Sequence, residues 1–173
     1  SKIQLEIADM KIRFAKESDI SAINEIYNQS IPSKTSTAHL LPVSLKERTS
    51  WFNKHNEEQY PVFVAEHEGK VIGWISVSPY RSGRQALQYT AEISYYVHKD
   101  HQNTGIATYL MTYVIENCKK FNIRNLIAIL MAHNTYSIKL LKKFKFEEWG
   151  RMPNILVIDG EEFDHLYYGL RVC

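Results

Sequence analysis

The sequence predicts an α/β protein: a single mixed β-sheet with helices on both faces. Three observations carry this. The hydrophobic period switches along the chain between two and about 3.6 residues, giving the order β-α-α-β-β-β-α-β-α-β-β. The run Leu126–Met131 is continuously apolar, as a strand covered on both faces should be. No internal repeat, low-complexity tract or Pro/Gly/Ser-rich linker interrupts the pattern, so residues 10–173 read as one domain.

The elements follow in order. Met10-Lys11-Ile12-Arg13-Phe14 alternates like a half-buried strand, and residues 1–9 before it read as an N-terminal extension or a non-native remnant. Ser18 is placed to cap a helix whose apolar face is Ile20, Ile23 and Ile26-Tyr27. Asn28 to Pro42 is polar, with prolines at 32 and 42, and reads as a loop or broken helix. Ser44 and Glu47 have capping-box spacing, and a helix presenting Leu45, Trp51 and Phe52 should follow. Pro61–His67 and Lys70–Val77 form a hairpin about Glu68-Gly69. After a loop at Pro79–Gly83, Gln88–His98 is a long alternating strand. Ile106, Leu110, Val114 and Cys118 then recur every fourth residue, the face of a strong amphipathic helix. Asn134–Phe144 is a further helix, and strands at Phe146–Met152 and Phe163–Arg171 flank a turn at Asp159-Gly160.

Composition excludes several classes. The chain has 173 residues, 45% of them apolar and 23% charged, which are ordinary globular values. A net charge of +2 without a clustered basic face argues against nucleic acid. No apolar run approaches the roughly 18–20 residues that cross a bilayer, and Glu6 and Asp9 break any signal-peptide pattern, so the expectation is a cytoplasmic protein. Cys118 falls on an apolar helix face and Cys173 is terminal. The histidines are scattered, and no metal-ligand spacing occurs.

One junction carries chemistry. The long strand ending at His98 runs through Lys99–Thr104 into Gly105-Ile106-Ala107, where the strong helix begins. The first amides of a helix have no partner within it, and the helix dipole adds positive potential. Gly105 and Ala107 would let an anion approach that backbone closely, although small residues at a helix start also serve packing or capping. Neither GxxxxGK[ST] nor GxGxxG is present.

The segment Gln102-x-x-Gly105-x-Ala107 resembles the Q/R-x-x-G-x-G/A motif of the Gcn5-related N-acetyltransferase (GNAT) superfamily. Tyr89-Thr90-Ala91-Glu92 with Tyr95-Tyr96-Val97, His101–Gly105, and Asn134-x-x-Ser137-Ile138-x-Leu140 are similar to motifs of its phosphinothricin and methionine sulfoximine acetyltransferase branch. The resemblance spans about Lys11 to Val172. It implies the GNAT fold, in which a splayed central strand pair receives CoA, and acetyl-CoA as co-substrate. By that resemblance Tyr95, Tyr96 and Val97 hold the pantetheine arm through the strand, and amides of Asn103, Thr104, Gly105, Ile106, Ala107 and Thr108 take the pyrophosphate. Asn134 and Ser137 contact the cofactor from the next helix, and Asn134 also suits a helix cap.

Transfer of an acetyl group to an amine requires removing a proton from an ammonium. The resemblance places Glu92 on the family's catalytic glutamate, although a lone charge in a strand often simply faces solvent. The Val97 amide would polarise the thioester carbonyl. Two departures stand out. Leu141 occupies the position where many members carry a tyrosine as acid, which leaves water or Tyr136 to protonate the thiolate. Lys145 replaces a glycine before the phenylalanine and would be strained if the backbone there takes positive φ.

The acceptor is expected to be a small-molecule primary amine, an amino acid or an analogue such as phosphinothricin or methionine sulfoximine. Its walls should come from Asn28–Leu40 and Ser78–Tyr89. Arg81 and Arg84 would bind a carboxylate, with Tyr27, Asn28 and Thr37 as further contacts. The stretch Ile158–Asp164 departs from the branch, keeping only Gly160 and Asp164 of its pattern; Glu161 and Glu162 there would favour a cationic acceptor or merely solvate a turn. A protein N-terminus or lysine as acceptor, and a non-catalytic CoA-binding sensor, are the alternatives. The resemblance also implies a homodimer.

Overall fold

A computed structural model describes residues 9–173. The proposed N-terminal extension thus falls, apart from Asp9, outside the described residues. Seven strands form one sheet: β1 Met10–Phe14, β2 Val62–His67, β3 Lys70–Pro79, β4 Thr90–Val97, β5 Asn125–Met131, β6 Glu147–Ile158 and β7 Glu161–Arg171. Their spatial order is β1-β2-β3-β4-β5-β7-β6. Every neighbouring pair is antiparallel except β4 and β5. Four helices cover the sheet: α1 Ile20–Ser30, α2 Leu45–Phe52, α3 Ile106–Asn117 and α4 Thr135–Lys143. The expected mixed sheet with helices on both faces is therefore present.

Period-two alternation divides β2 and β3 between two cores. Val62, Val64 and Trp74 pack with Ile23, Ile26 and Tyr27 of α1. Phe63, Ala65, Ile75 and Val77 face Leu110, Met111 and Val114 of α3 on the other side, where Leu141 of α4 joins them. This two-sided burial is why β2 reads as an unbroken apolar run. Gly73 on β3 lets α3 come close: a Cβ there would meet Ile106 Cγ2 at 3.0 Å and the Tyr96 carbonyl at 3.3 Å.

Several local expectations change. Ser18 does not cap α1; it lies in a 3-10 turn, Glu17–Asp19, and Asp19 accepts from the Lys16 amide at 2.7 Å and pairs with Arg13 at 2.7 Å. Burial pushes the Asp19 carboxyl upward, but the Arg13 guanidinium and the Lys16 amide outweigh it and hold it below the usual range. At α2 the Ser44 hydroxyl accepts from the Glu47 amide at 3.1 Å, so the cap forms. On the inner face of α2 Trp51 and Phe52 pack as expected, but Leu45 is 54% exposed and Arg48 is buried beside the two aromatic residues. β6 continues past Met152 to Ile158. Two register shifts, at Glu148/Gly150 and Met152/Leu156, carry the pairing past Pro153 and erase the alternation that a sequence reading follows. Asp164 anchors this irregular stretch by accepting from Arg151 at 2.6 Å and from the Asn154 amide at 2.9 Å.

The end of α4 answers the question raised by Lys145. Its φ is +70°. The Lys145 amide donates to the Lys142 carbonyl and the Phe146 amide to the Leu141 carbonyl, both at 3.0 Å, which is a Schellman closure. Its apolar contact is supplied by buried Leu141 and Phe146. A left-handed residue with a Cβ costs about 1–2 kcal/mol relative to the right-handed region. Lys145→Gly is therefore expected to raise stability by about 0.5–1 kcal/mol, after the added backbone entropy of the unfolded chain is subtracted. Equal or lower denaturant midpoints for the variant would contradict the strain.

Candidate active site

The site is organised by the end of pairing between β4 and β5. Their register runs from Thr90↔Asn125 to Ile93↔Ala128 and stops there, although both strands continue. On the other edge β4 stays paired with β3 as far as Val97↔Gly73. The His98 amide donates to the Ile72 carbonyl at 2.8 Å. Alternation along the strand therefore turns the Tyr95 and Val97 amides toward the opening between β4 and β5.

A cleft of about 400 Å³ lies at this opening. Tyr95, Tyr96, Val97, Asn103, Ala107, Asn134 and Ser137 all line it, as does Gln102. Thr104, Gly105, Ile106 and Thr108 do not line it; they build the turn. Asn103 has φ +61° and Gly105 φ +87°, and Gly105 is the N-cap of α3. The Ile106 side chain is buried against the sheet, so only its backbone is available to a ligand. The first helix amide with a backbone partner is that of Tyr109, which donates to the Gly105 carbonyl at 3.0 Å. Among the described residues the amides from Asn103 to Thr108 have no such partner, a donor set suited to phosphate oxygens. Asn134 caps α4, accepting from the Ser137 amide at 3.1 Å. Burial pushes the Tyr95 phenol up to about 12.

A second cavity, also about 400 Å³, lies on the α1/α2 face of the same strand. It contains Glu92 and is walled by Tyr27, Trp51, Trp74 and Tyr96. Tyr96 and Ser36 border both spaces, and the Tyr96 hydroxyl donates to the Ser36 carbonyl at 3.2 Å. Glu92 faces this cavity because Ala91 and Ile93, its neighbours in the strand, point into the α3 core. Burial raises the Glu92 pKa above the usual carboxylate value, with no cation opposing it. Ser78, its register partner on β3, is held by His55 Nε2 at 3.0 Å.

The other residues expected from sequence separate into two groups. Tyr27 and Thr37 line the Glu92 cavity and hydrogen-bond each other, and Tyr27 also bonds His39. Arg81 and Arg84 are not there. They border a shallow groove with Tyr60 and Gln88, because the loop after β3 turns outward before a 3-10 turn at Gln85–Leu87. Asn28 is also elsewhere: its amide closes the loop onto Val43, donating to the carbonyl at 3.0 Å and accepting from the amide at 2.9 Å. Glu161 and Glu162 are exposed at the start of β7, outside both spaces. Leu141 is fully buried in the α3 core, whereas Tyr136 lines the cleft.

Sequence reading missed Arg48, His39 and His165, which also line the Glu92 cavity. Arg48 had a detectable signal: it precedes Trp51 and Phe52 by three and four residues, so it shares their helix face. Its guanidinium lies 4.3 Å from the Tyr27 ring centroid and 4.7 Å from that of Trp51. Such contacts contribute about 0.5–2 kcal/mol each.

A sequence model of the acetyltransferase (GNAT) family matches residues 22–146. YwnH of Bacillus subtilis is 38% identical over 156 residues, covering 90% of this chain and 94% of that protein. The L-methionine sulfoximine/L-methionine sulfone acetyltransferase of Salmonella typhimurium is 31% identical over 163 residues, covering 94% and 95%. Among solved structures, YncA of Salmonella typhimurium with its cofactor acetyl-CoA superposes with a TM-score of 0.87 at 30% identity, covering 95% of each chain.

The folded-state pKa of Glu92 lies above its unfolded value, so its ionisation weighs against the fold. Its favourable contribution is present below the unfolded pKa and is lost as pH rises through the folded pKa. Glu92→Gln removes this titration. The variant's melting temperature is expected to gain on wild type as pH rises above the ordinary carboxylate range. A difference independent of pH would show that the carboxyl is not destabilised by burial.

Proposed function

Because the chain belongs to the acetyltransferase (GNAT) family, we propose that Glu92 is the base in transfer of an acetyl group to the primary amine of an amino acid or amino-acid analogue. The chain is an N-acetyltransferase, and acetyl-CoA is its co-substrate. One observation carries the assignment of sites: the amide-lined cleft and the Glu92 cavity meet at Tyr96 and Ser36, on opposite sides of one strand.

The cleft suits the CoA portion. The unpaired Tyr95 and Val97 amides are placed for strand-like bonding to the pantetheine arm, and the amides of Asn103–Thr108 for the pyrophosphate. The cavity suits the amine. The acceptor arrives as an ammonium, and the Glu92 carboxylate takes one proton, directly or through a water. The freed nitrogen lone pair attacks the thioester carbonyl carbon. The oxygen takes up negative charge facing the Val97 amide, and the carbon–sulfur bond then breaks. Leu141 can donate nothing. As the carbon–sulfur bond breaks the nitrogen gives up its second proton, which reaches the departing thiolate through water or Tyr136; a thiolate is stable enough to leave without an obligatory acid.

The aromatic walls support a small acceptor over a protein terminus or lysine, since four rings line the cavity around Glu92. The named acceptors of the Salmonella relative are amino acids, which supports the same class here. We further assign residues 10–173 to one catalytic domain and the protein to the cytoplasm, in keeping with free Cys118 and Cys173; no described helix is long and apolar enough to cross a membrane. A homodimer is supported by edge strand β6, which exposes Trp149, Met152, Ile155 and Val157.

Acetyl-CoA at about a hundredfold excess over its Kd is expected to add about 2.7 kcal/mol of stability, a rise of roughly 5–10 °C in Tm for a protein of this size. Gly105→Val puts a branched side chain at φ +87° and should weaken acetyl-CoA about tenfold or more. No thermal response in wild type would remove the cofactor site. For chemistry, Glu92→Gln is expected to lower kcat about 10²–10⁴-fold with acetyl-CoA affinity retained. Wild-type activity should rise with pH as Glu92 ionises above its ordinary range. Retention of that rising limb by the glutamine variant would assign the base elsewhere.

A further inference from the structure

The Glu92 cavity holds a second ionisable group that the acetyl-transfer chemistry does not use. Arg48 is 5% exposed and lines the cavity from α2. The other arginine drawn largely out of solvent, Arg13, is paired with Asp19 and Glu66. Arg48 forms no salt bridge among the described residues. Its Nε donates to Asn24 Oδ1 at 3.2 Å, and no other hydrogen bond of normal distance and angle forms at the guanidinium. Aromatic faces of Tyr27 and Trp51 cover its plane, which leaves the edge carrying its two terminal nitrogens.

A guanidinium out of water and without a counter-charge is an unstable choice if its role is packing alone, because an apolar side chain would fill the space at lower cost. Its lone neutral partner, Asn24, holds it rather than compensates it. The groups that face it or share its cavity are Tyr27, Tyr96, His39, His165 and Glu92; Glu47 on the same helix and His55 act on it only at longer range, and neither forms a salt bridge with it. Glu92 shares the cavity but forms no salt bridge or hydrogen bond with Arg48, so it does not serve as its counter-ion. The cavity thus presents a proton acceptor and, separately, a fixed fork of unspent N–H donors.

We propose that Arg48 binds the oxygen-bearing group of the acceptor, a carboxylate or a sulfur- or phosphorus-bound oxo group, through parallel N–H···O bonds from its terminal nitrogens. This rests on the reading of the cavity as the acceptor site. Arg48 is then a specificity-determining residue, while Glu92 acts on the amine. It fills the role that Arg81 and Arg84, in their separate groove, are not placed to fill. The planar fork matters: lysine keeps the charge but loses the paired geometry.

The test compares methionine sulfone, methionine and the carboxamide of methionine sulfone as acceptors for wild type, Arg48→Lys and Arg48→Gln. Wild type is expected to favour the sulfone over at least one truncated acceptor by about tenfold to a hundredfold in kcat/KM. Both variants should contract that preference to within about threefold, with acetyl-CoA affinity unchanged. Collapse of the sulfone–methionine ratio identifies the side-chain oxygens as the group bound; collapse of the acid–carboxamide ratio identifies the carboxylate. A preference that survives in both variants overturns the assignment. So does a wild type indifferent to both changes, a result that needs no variant to fold. Calorimetric Kd values for the same acceptors separate this proposal from the activity reading. Absent turnover with Arg48-dependent binding refutes the acceptor chemistry alone, whereas equal Kd for wild type and variants on every acceptor refutes Arg48.

Discussion

The parting of β4 from β5 after Ile93 is the constraint on which the site depends. Up to that residue the two strands are ordinary parallel neighbours. Beyond it each still has its other partner, β3 for β4 and β7 for β5, so the sheet holds together while one seam opens. Buried backbone donors that lack a strand partner must find another acceptor, and this is the physical basis for a ligand at the seam. The opening also lets one strand serve two compartments. Its Ala91 and Ile93 side chains anchor it in the α3 core, while Glu92 and Tyr96 face the aromatic cavity.

Two positions without side chains bring α3 up to that seam. Gly73 allows Ile106 to lie close over β3, and Gly105 allows the turn into the helix at φ +87°. The first amides of α3 are thereby presented at the open edge rather than buried against it. The remainder of the helix is fixed by packing, with Leu110 and Met111 fully buried. The ligand-facing turn is thus a small perturbation at the end of a well-anchored element, which is where a strained backbone is best tolerated.

The other compartment is enclosed by the segment after α1. Residues Ser36 to His39 border the cavity and are tied to the body by the Tyr96 hydroxyl at Ser36 and by Tyr27 at Thr37 and His39. His133 adds a bond to the Lys34 carbonyl at 2.8 Å. The polar stretch expected to wall the acceptor does so through Ser36–His39, and part of its polarity is used in bonds to aromatic hydroxyls. The same rings that close the wall flank Arg48, so shape and charge in this cavity come from one cluster.

The sequence by itself determined the architecture and the cofactor half. Hydrophobic periods mark most strands and helices because each element must bury one face or both, and that requirement is local. The turn at Gln102–Ala107 and Glu92 were legible through the family resemblance, since a small-residue helix start also serves packing and a lone carboxyl in a strand often faces solvent. Tyr27 and Thr37 were legible in the same way, but the rest of the second cavity was decided by the tertiary structure. Arg48 joins Tyr27, Trp74 and Glu92 from four separate elements, α2, α1, β3 and β4, and no period within one segment records such a meeting. Arg81 and Arg84 were chemically suitable but turn away with their loop, and β6 outran its pattern because bulges shift the register. What depends on spacing along the chain could be read from the chain; what depends on how distant segments converge had to wait for packing.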